Sequence, residues 1–580
     1  MAVVARYSSY DDRRPKRDQF EKLLGRLKNE RSTFDSHWRD LADFIRPRRA
    51  RFTVSDRNKG DKRNQNIINS TATFASRTLS SGLHSGLTSP ARPWFKLSTP
   101  DPDLAKFGPV KEWLHDVTQR MINVFLTTNL YQTLPTVYGD LGNFGTGAMA
   151  MLPDSKDLFR TWQYPIGSYW IGTDERGNAG TFIREYELTV RQIVREFLRM
   201  PGTRMIDWEN ASTTLRNLWD QGDYEAAVRV TWVVTPNEDA DPRKPLAKFL
   251  PWASCWYETG EDRDNRFLRE SGFRTFPVFA PRWEVTDGDT YGTDCPGMTA
   301  LGDVRQLQGE ERAKGRGIQK MVDPALVGPA NLQGQKTSLI SGDVTYVDAR
   351  EGMQGLRPIH EVTMSLSELR LDMEAVEARI QRAYFEDLFL MLARADMGQP
   401  ITAEEVRERR EEKLLALGPV LEHANDELLE PAIDRAYAMM EERGLIPPPP
   451  DELDGVELKV EYLSILAQAQ KQVALAGTDR FLGAAVPLMQ SFPEIRHKID
   501  PFEVVDELAE VTGVNPRFII ANDEAKAAAE QEAQQRAQMA QAAQAQATAR
   551  AAKDASAAKT SDGTSLLDTI ASAAQNGAAA

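Results

Sequence analysis

Apolar residues recur at three- and four-residue steps from Phe20 through Leu23, Leu24, Leu27, Phe34, Trp38, Leu41, Phe44 and Ile45. That spacing puts them on one face of a helix. Pro47 ends it, because proline has no N–H to donate and crowds the preceding turn. Residues 64–97, NQNIINSTATFASRTLSSGLHSGLTSPARPWFKL, are rich in small and hydroxyl side chains. Ile67, Ile68, Phe74, Leu79 and Leu83 there predict a tightly packed helix ending near Gly86. Val110, Trp113, Leu114, Val117, Met121, Val124 and Phe125 predict another over 108–130. A third runs through Leu134 to Leu141 and breaks at the glycines of GNFGTG, 142–147.

The period changes after residue 148. Short β-rich runs appear at Tyr169–Ile171, Thr181–Leu188, Val228–Val234, Trp252–Tyr257 and Phe276–Phe279. TDERGN, 173–178, has the composition of a hairpin turn. Thr189-Val-Arg-Gln192 predicts a capped helix start, with the threonine and glutamine side chains each serving the other's backbone N–H.

From about residue 296 the pattern is helical again. In 297–321, Leu301, Val304, Leu307, Ile318 and Met321 lie on or near one face. Gly302, Gly309, Gly315 and Gly317 would each weaken an isolated helix by about 1 kcal/mol, so they suggest close approach of a neighbouring backbone. Residues 322–362 are a Gly/Pro-punctuated interlude with strand-like TSLI and VTYVD. Ser365-Leu-Ser-Glu368 predicts a capping box, followed by a stripe of Leu369, Met373, Val376, Ile380, Tyr384, Leu388 and Met391. A helix over 366–394 would be about 43 Å long. After ADMGQPI, 395–401, Thr402-Ala-Glu-Glu405 predicts another capping box. The long helix that follows carries Leu414, Leu417, Leu421, Leu428, Ile433, Tyr437 and Met440. Pro419 and Pro431 should kink it, and Gly444 should cap it before Pro447–Pro450. Residues 456–520 read as a small helical unit. An Ala/Gln-rich stretch without Gly or Pro, 522–559, would make a rod of about 55 Å. It has almost no large apolar side chains, so we expect neighbours, including copies of itself, to order it. The last 20 residues have the composition of a disordered tail.

Length and composition narrow the function. At 580 residues the chain should hold about three to five structural units. Its 41% hydrophobic and 27% charged residues suit a soluble fold. No apolar run approaches the roughly 18 residues of a membrane helix, and the N-terminus has no apolar signal core. Cys255 and Cys295 are too few for a disulfide scaffold or zinc ribbon and read as buried thiols. A net charge of −14 excludes a general DNA coat, but not a wall past which DNA must slide. One stretch is locally basic: Arg46, Arg48, Arg49, Arg51, Arg57, Lys59, Lys62 and Arg63. A solvated loop is the simpler reading of it, a phosphate or partner contact the sharper one.

No enzyme constellation emerges, and no catalytic, cofactor or metal residue is assigned. Gly328 and Gly334 are one residue too far apart for a phosphate loop, and Gln335 intervenes before Lys336. In Gly82-Leu-His-Ser85-Gly86 the serine is one place late for a nucleophile elbow. His360-Glu-Val-Thr lacks the second histidine of a zinc helix. His423, near Asp426 and Glu427, reads as solvated. The pairs Glu404/Glu405 and Glu411/Glu412 fit capping and a wet helix face.

In order along the chain, several segments resemble the portal proteins, or head-to-tail connectors, of short-tailed bacteriophages. The sharpest are TAEEVRERREEKLLALGPVLEHANDELLEPAIDRAYAMMEERGLIPPPP (402–450), the 64–97 segment and GNFGTGAM. ESGFRTFPVFAPRW (270–283) and YGTDCPG (291–297) are weaker. The resemblance spans about 18–520. It implies an α+β, mainly α, subunit that assembles as a ring, usually of twelve, at one capsid vertex. Double-stranded DNA would pass through without sequence specificity. Major capsid and scaffolding proteins, the large terminase subunit and adaptor or tail proteins would be the partners. The place of action would be the virion, after assembly in the host cytoplasm and without membrane insertion.

Laid onto this chain, the resemblance gives a basic arm (1–17), a wing (18–295 and 402–455) and stem helices at 296–321 and 363–394. A small α/β clip (322–362), a channel loop (395–401), a crown (456–520), a barrel helix (521–559) and a tail (560–580) complete it. Met397, Gly398 and Gln399 would face DNA from the loop. Asn331, Gln333, Gln335 and Lys336 would contact adaptor or terminase from the clip. Arg312, Arg316 and Lys320 would line the channel from the stem, or else pair with acids such as Asp372 and Glu377 of a neighbouring copy. Two other classes stand beside this reading: a packaging ATPase, and another tail or internal-core protein with a helical barrel.

Overall fold

The computed structural model describes residues 16–56, 60–101, 107–200, 205–260, 266–286, 288–322, 365–390, 417–453, 458–463, 500–505 and 522–557, with short pieces such as 326–327 and 357–358. They fall in two compact units. The larger draws on Met1–Leu97, His115–Pro448 and Val460–Val473, the smaller on Ser98–Leu114, Pro449–Lys459 and Ala474–Ala580. The chain is α+β and mainly helical.

In chain order the helices are α1 (Lys16–Phe44), α2 (Thr71–Leu87), α3 (Gly108–Thr127), α4 (Leu130–Phe144), α5 (Val190–Ile193), α6 (Thr213–Asp220), α7 (Pro296–Val322), α8 (Leu366–Ala383), α9 (Glu430–Glu442) and α10 (Asn522–Ala557). The longer strands are β1 (Phe95–Ser98), β2 (Met149–Asp154), β3 (Leu158–Gln163), β4 (Tyr169–Thr173), β5 (Ala179–Thr189), β6 (Ala227–Pro236), β7 (Trp252–Glu258) and β8 (Arg269–Phe273), with the two-residue β9 (Val278–Phe279). β4 to β8 form an antiparallel sheet in sequence order, and β2 lies between β3 and β9 in a second.

Alternation along β6 explains how the five-stranded sheet is covered. Val233 faces one side, where Phe20, Leu24 and Leu27 of α1 pack with Trp170, Ile183, Cys255 and Tyr257. Val230 faces the other, against Val190, Ile193, Val194, Leu198, Ala211 and Leu215. Two arginines of α1 are buried in the process. Arg17 donates to Glu258 O at 2.6 Å, and Arg31 to Gly167 O and Tyr169 O at 2.8 and 2.6 Å. Lys16 and Arg17, expected in a loose arm, therefore belong to α1.

Local signals hold at several turns. The Thr189/Gln192 capping box is formed in both directions. Asp174 Oδ1 accepts from the backbone of Arg176 and Asn178, both at 2.9 Å, and shapes the 173–178 hairpin. GNFGTG and YGTDCPG, separate in sequence, meet backbone to backbone. A Cβ on Gly292 would collide with the carbonyl of Gly145, and one on Gly297 with that of Asn143. Gly145 also has φ +75° and accepts the backbone N–H of Trp283 at 2.9 Å. The glycines are there so that two loops and the start of α7 can touch.

Other expectations need correction. The β2–β3 hairpin and β8 were not foreseen; Gly, Pro and charged residues interrupt their alternation. Ile68 and Phe74, expected in the core, are 48% and 59% exposed, because α2 packs through Ala72, Ala75, Leu79 and Leu83 instead. Ser365 makes no capping bond to α8; its hydroxyl meets that of Ser367. The helix expected over 366–394 breaks after Ala383. Phe385 takes φ +55°, while buried Tyr384 donates its hydroxyl to Asn143 Oδ1 at 3.1 Å. Phe389 then lays its ring on Gly82, where any side chain would collide. Gly82 thus serves packing, and Ser85 Oγ is spent on Gly82 O.

The basic stretch is not simply solvated. Arg49 makes two bonds to buried Asp140, at 2.9 and 2.7 Å. Arg63 pairs with Asp56 at 2.5 Å, and Arg48 donates to Asp61 O. Just before Pro431 the helix widens: Asn425–Leu429 is π-helical and leads into α9. Gly444, at φ +66°, ends it as expected. In the smaller unit, Lys526 of α10 pairs with Asp500 at 3.0 Å. From there to Arg550 the rod is exposed on every side.

Candidate functional site

The helices expected as a stem are α7 and α8, and they pack as a pair. α7 buries Ala300, Leu301, Val304 and Leu307; α8 buries Met373, Val376 and Ile380. Arg379 bonds to Asp303 at 2.9 Å, and Leu326–Val327 beyond α7 pair with Arg357–Pro358 ahead of α8, so the two helices run antiparallel. That hydrogen bond raises the arginine's affinity for its proton. Arg305 ties α7 back to Asp40 of α1 at 2.6 Å.

One residue joins three helices. Asn69 Oδ1 accepts from Thr71 N, at the first residue of α2, at 2.9 Å. Its Nδ2 donates to Glu377 of α8 at 2.7 Å and reaches Glu311 of α7 at 3.5 Å. Buried Gln308 of α7 accepts from the backbone of Ile68 and Asn69 and donates back to Asn69 O. Neither residue stood out in the sequence. The signal was an N-cap residue type, Asn69, two places before a helix, and a polar residue, Gln308, on an apolar stripe.

The three stem candidates lie along one line of α7. Arg312, Arg316 and Lys320 recur every fourth residue over about 12 Å. All are exposed, and none pairs with an acid among the described residues. Of the two acids expected as partners, Asp372 and Glu377, Glu377 is half-buried and already held by Asn69. Asp372 and Glu368 are exposed on α8. Among the described residues Gly302, Gly309 and Gly315 meet no close neighbour, and a Cβ on any of them would touch nothing within 4 Å, whereas Gly317 is buried. Met397, Gly398 and Gln399 lie outside the described residues, as do Asn331, Gln333, Gln335, Lys336 and the Thr402/Glu405 capping box.

His423 is half-exposed, with Nδ1 3.8 Å from Glu427. Glu427 itself is committed to Arg282 at 2.5 Å, both buried. Among the described residues no group of three metal-ligating side chains occurs. No described helix is long and apolar enough to cross a membrane.

Comparison with known proteins identifies the setting of these helices. Residues 17–520 match the family described as bacteriophage head to tail connecting protein. The portal protein of Salmonella phage epsilon15 is 45% identical over 519 residues, covering 90% of this chain and 91% of that one. The probable portal protein of Bordetella phage BPP-1 is 41% identical over 512 residues, 88% of this chain and 90% of that one. The chain therefore belongs to the bacteriophage head-to-tail connecting, or portal, protein family.

Proposed function

We propose that copies of this chain close into a ring, of about twelve by the family resemblance, at one vertex of a phage capsid. Double-stranded DNA passes through it during packaging and ejection. The ring docks the terminase motor first and the tail adaptor afterwards, with no catalysis of its own. The match across residues 17–520, together with two portal relatives covering about nine-tenths of the chain, carries this reading.

Within that function α7 and α8 are the stem, and 322–362 between them is the clip, with Asn331, Gln333, Gln335 and Lys336 toward motor or adaptor. The antiparallel pairing of the two helices is what such a hairpin requires. Residues 18–295 and 402–455 form the wing and 456–520 the crown. The loop 395–401 presents Met397, Gly398 and Gln399 to DNA, touching it without a strong charge. Of the stem cations, Lys320 is the one we place toward the duplex. Among the described residues α8, which begins at Leu366, carries no acid at that level. The net charge of −14 per chain gives a ring that mostly repels phosphate, and so lets DNA slide. α10, exposed from Lys526 to Arg550, is a barrel stave that copies of itself would bury.

The test is the native mass of the purified protein with class-averaged electron microscopy of the same sample. A ring of about twelve subunits with an axial hole supports the proposal. A small oligomer that persists with scaffolding and capsid proteins present overturns it.

A further inference from the structure

We propose that α7 of one copy latches onto α8 of the next through Arg312 and Arg316 on one side and Asp372 and Glu368 on the other. The inference rests on the ring reading above and names the surface that closes the ring.

Three observations carry it. First, all four side chains are exposed, and none has an ion-pair partner among the described residues. Asp372 feels Arg379 only at longer range, and Arg379 is already bonded to Asp303. The obvious alternative acid, Glu377, is occupied by Asn69.

Second, the levels match. Asp303 lies opposite Arg379, and the helices are antiparallel. Moving along α7 from Asp303 to Arg312 corresponds to moving along α8 from Arg379 back to Arg370. Arg312 is then within two residues of the level of Asp372, and Arg316 of Glu368, an offset of about 3 Å. A neighbouring copy whose helix pair lies alongside this one therefore brings its acids to these cations with little sliding along the helices. Within one chain the same groups share a level yet form no pair, so they face apart.

Third, the surface around Arg312 is open. Gly309 and Gly315 lie three residues to either side of it, on the same side of the helix, and a Cβ at either would touch nothing within 4 Å. A neighbouring helix can come close there. Its partner is a second copy of this chain, bound head to tail through two different faces, the contact type that generates rings. Exposed ion pairs are individually weak, but the ring repeats these at every interface.

The test uses two full-length variants, Arg312→Glu/Arg316→Glu and Glu368→Arg/Asp372→Arg. Each alone sets like charges against each other at every interface. At about 50 mM salt, where screening is weak, each should lower the ring fraction at least ten-fold. An equimolar mixture should recover rings, because alternating copies restore opposite charges at every contact. Native mass spectrometry with one variant mass-tagged should show equal numbers of each. Circular dichroism checks that both variants fold. If one does not, Arg312→Gln/Arg316→Gln replaces the reversal, and it should lower the ring fraction and weaken its salt dependence.

Variants that form rings like the parent overturn the latch, as does a ring fraction unmoved by the glutamine pair. A chain carrying all four reversals that recovers while the mixture does not overturns it too, because the pairing is then within one chain. Intact rings that fail to package DNA would move Arg312 and Arg316 to the channel and also overturn it. A parent protein that forms no ring with scaffolding and capsid proteins present defeats the ring reading itself, a separate result.

Discussion

Gln308 closes its side-chain amide around the backbone of Asn69. Its oxygen accepts the N–H of Ile68 at 2.6 Å and of Asn69 at 2.9 Å, and its nitrogen donates to Asn69 O at 2.8 Å. Gln308 is 2% exposed, and the bonds it makes are partly buried. Leucine at 308 would leave two N–H groups and a carbonyl unpaired. An unmade buried bond costs about 1–3 kcal/mol, and partial relaxation should leave a net loss of about 2–4 kcal/mol. The thermal midpoint of Gln308→Leu should fall, and amide exchange at Ile68 and Asn69 should accelerate. Gln306→Ala, which removes only an exposed bond to Glu310, should change stability by no more than about 0.5 kcal/mol. Unchanged exchange at 68 and 69 would show that the clamp is not what holds this segment.

Burial governs the two thiols. It pushes both Cys255 and Cys295 up to about 12. A thiol-specific reagent at pH 8 should therefore find almost no reactive group in the native protein, and two after denaturation. The sign of the pH effect follows. Below the ordinary thiol value, near 9, both groups are neutral in either state and contribute nothing to pH dependence. Above it the unfolded chain ionises while the folded chain does not, so stability falls as pH rises from about 9 towards 12. Rapid labelling at pH 8, or flat stability across that alkaline window, would contradict the burial argument.

How much the sequence disclosed depends on the range of the interaction. α1, α3 and α7 were readable because their core faces follow helical period, and the Thr189/Gln192 box because both partners lie within one turn. Contacts between distant segments were not. Nothing near Gly82 announces that Phe389 will rest on it, so the break after Ala383 was invisible. Ile68 and Phe74 looked like core because apolar residues usually are, yet α2 packs through its alanines. For the candidate site, the stripe of Arg312, Arg316 and Lys320 was legible as spacing. Asp372 was legible as an acid that could face it and Glu368 was not; the other acid named, Glu377, is seen to be held by Asn69 only in the structure.

The same long-range logic makes a last prediction at Arg282. Its guanidinium contacts Glu427 through both Nε and Nη2 and donates to Asp289 O at 3.0 Å and Gly177 O at 2.7 Å. Its own backbone N–H reaches Glu427 at 2.8 Å. Glu427 sits in the π-helical turn, where Glu430 N–H bonds to Asn425 O and Pro431 follows with no N–H to offer. The ion pair thus fixes a wide turn of the helix onto the segment beside β9. Methionine at 282 keeps much of the volume but strands a buried carboxylate, which should cost about 3–5 kcal/mol. Adding Glu427→Leu removes that stranded charge, so the double variant should regain a large part of the loss. Urea unfolding of the two variants beside the parent measures both steps. Equal losses in the single and the double variant would mean that the turn depends on the arginine's bonds to Asp289 O and Gly177 O, and not on its charge partner.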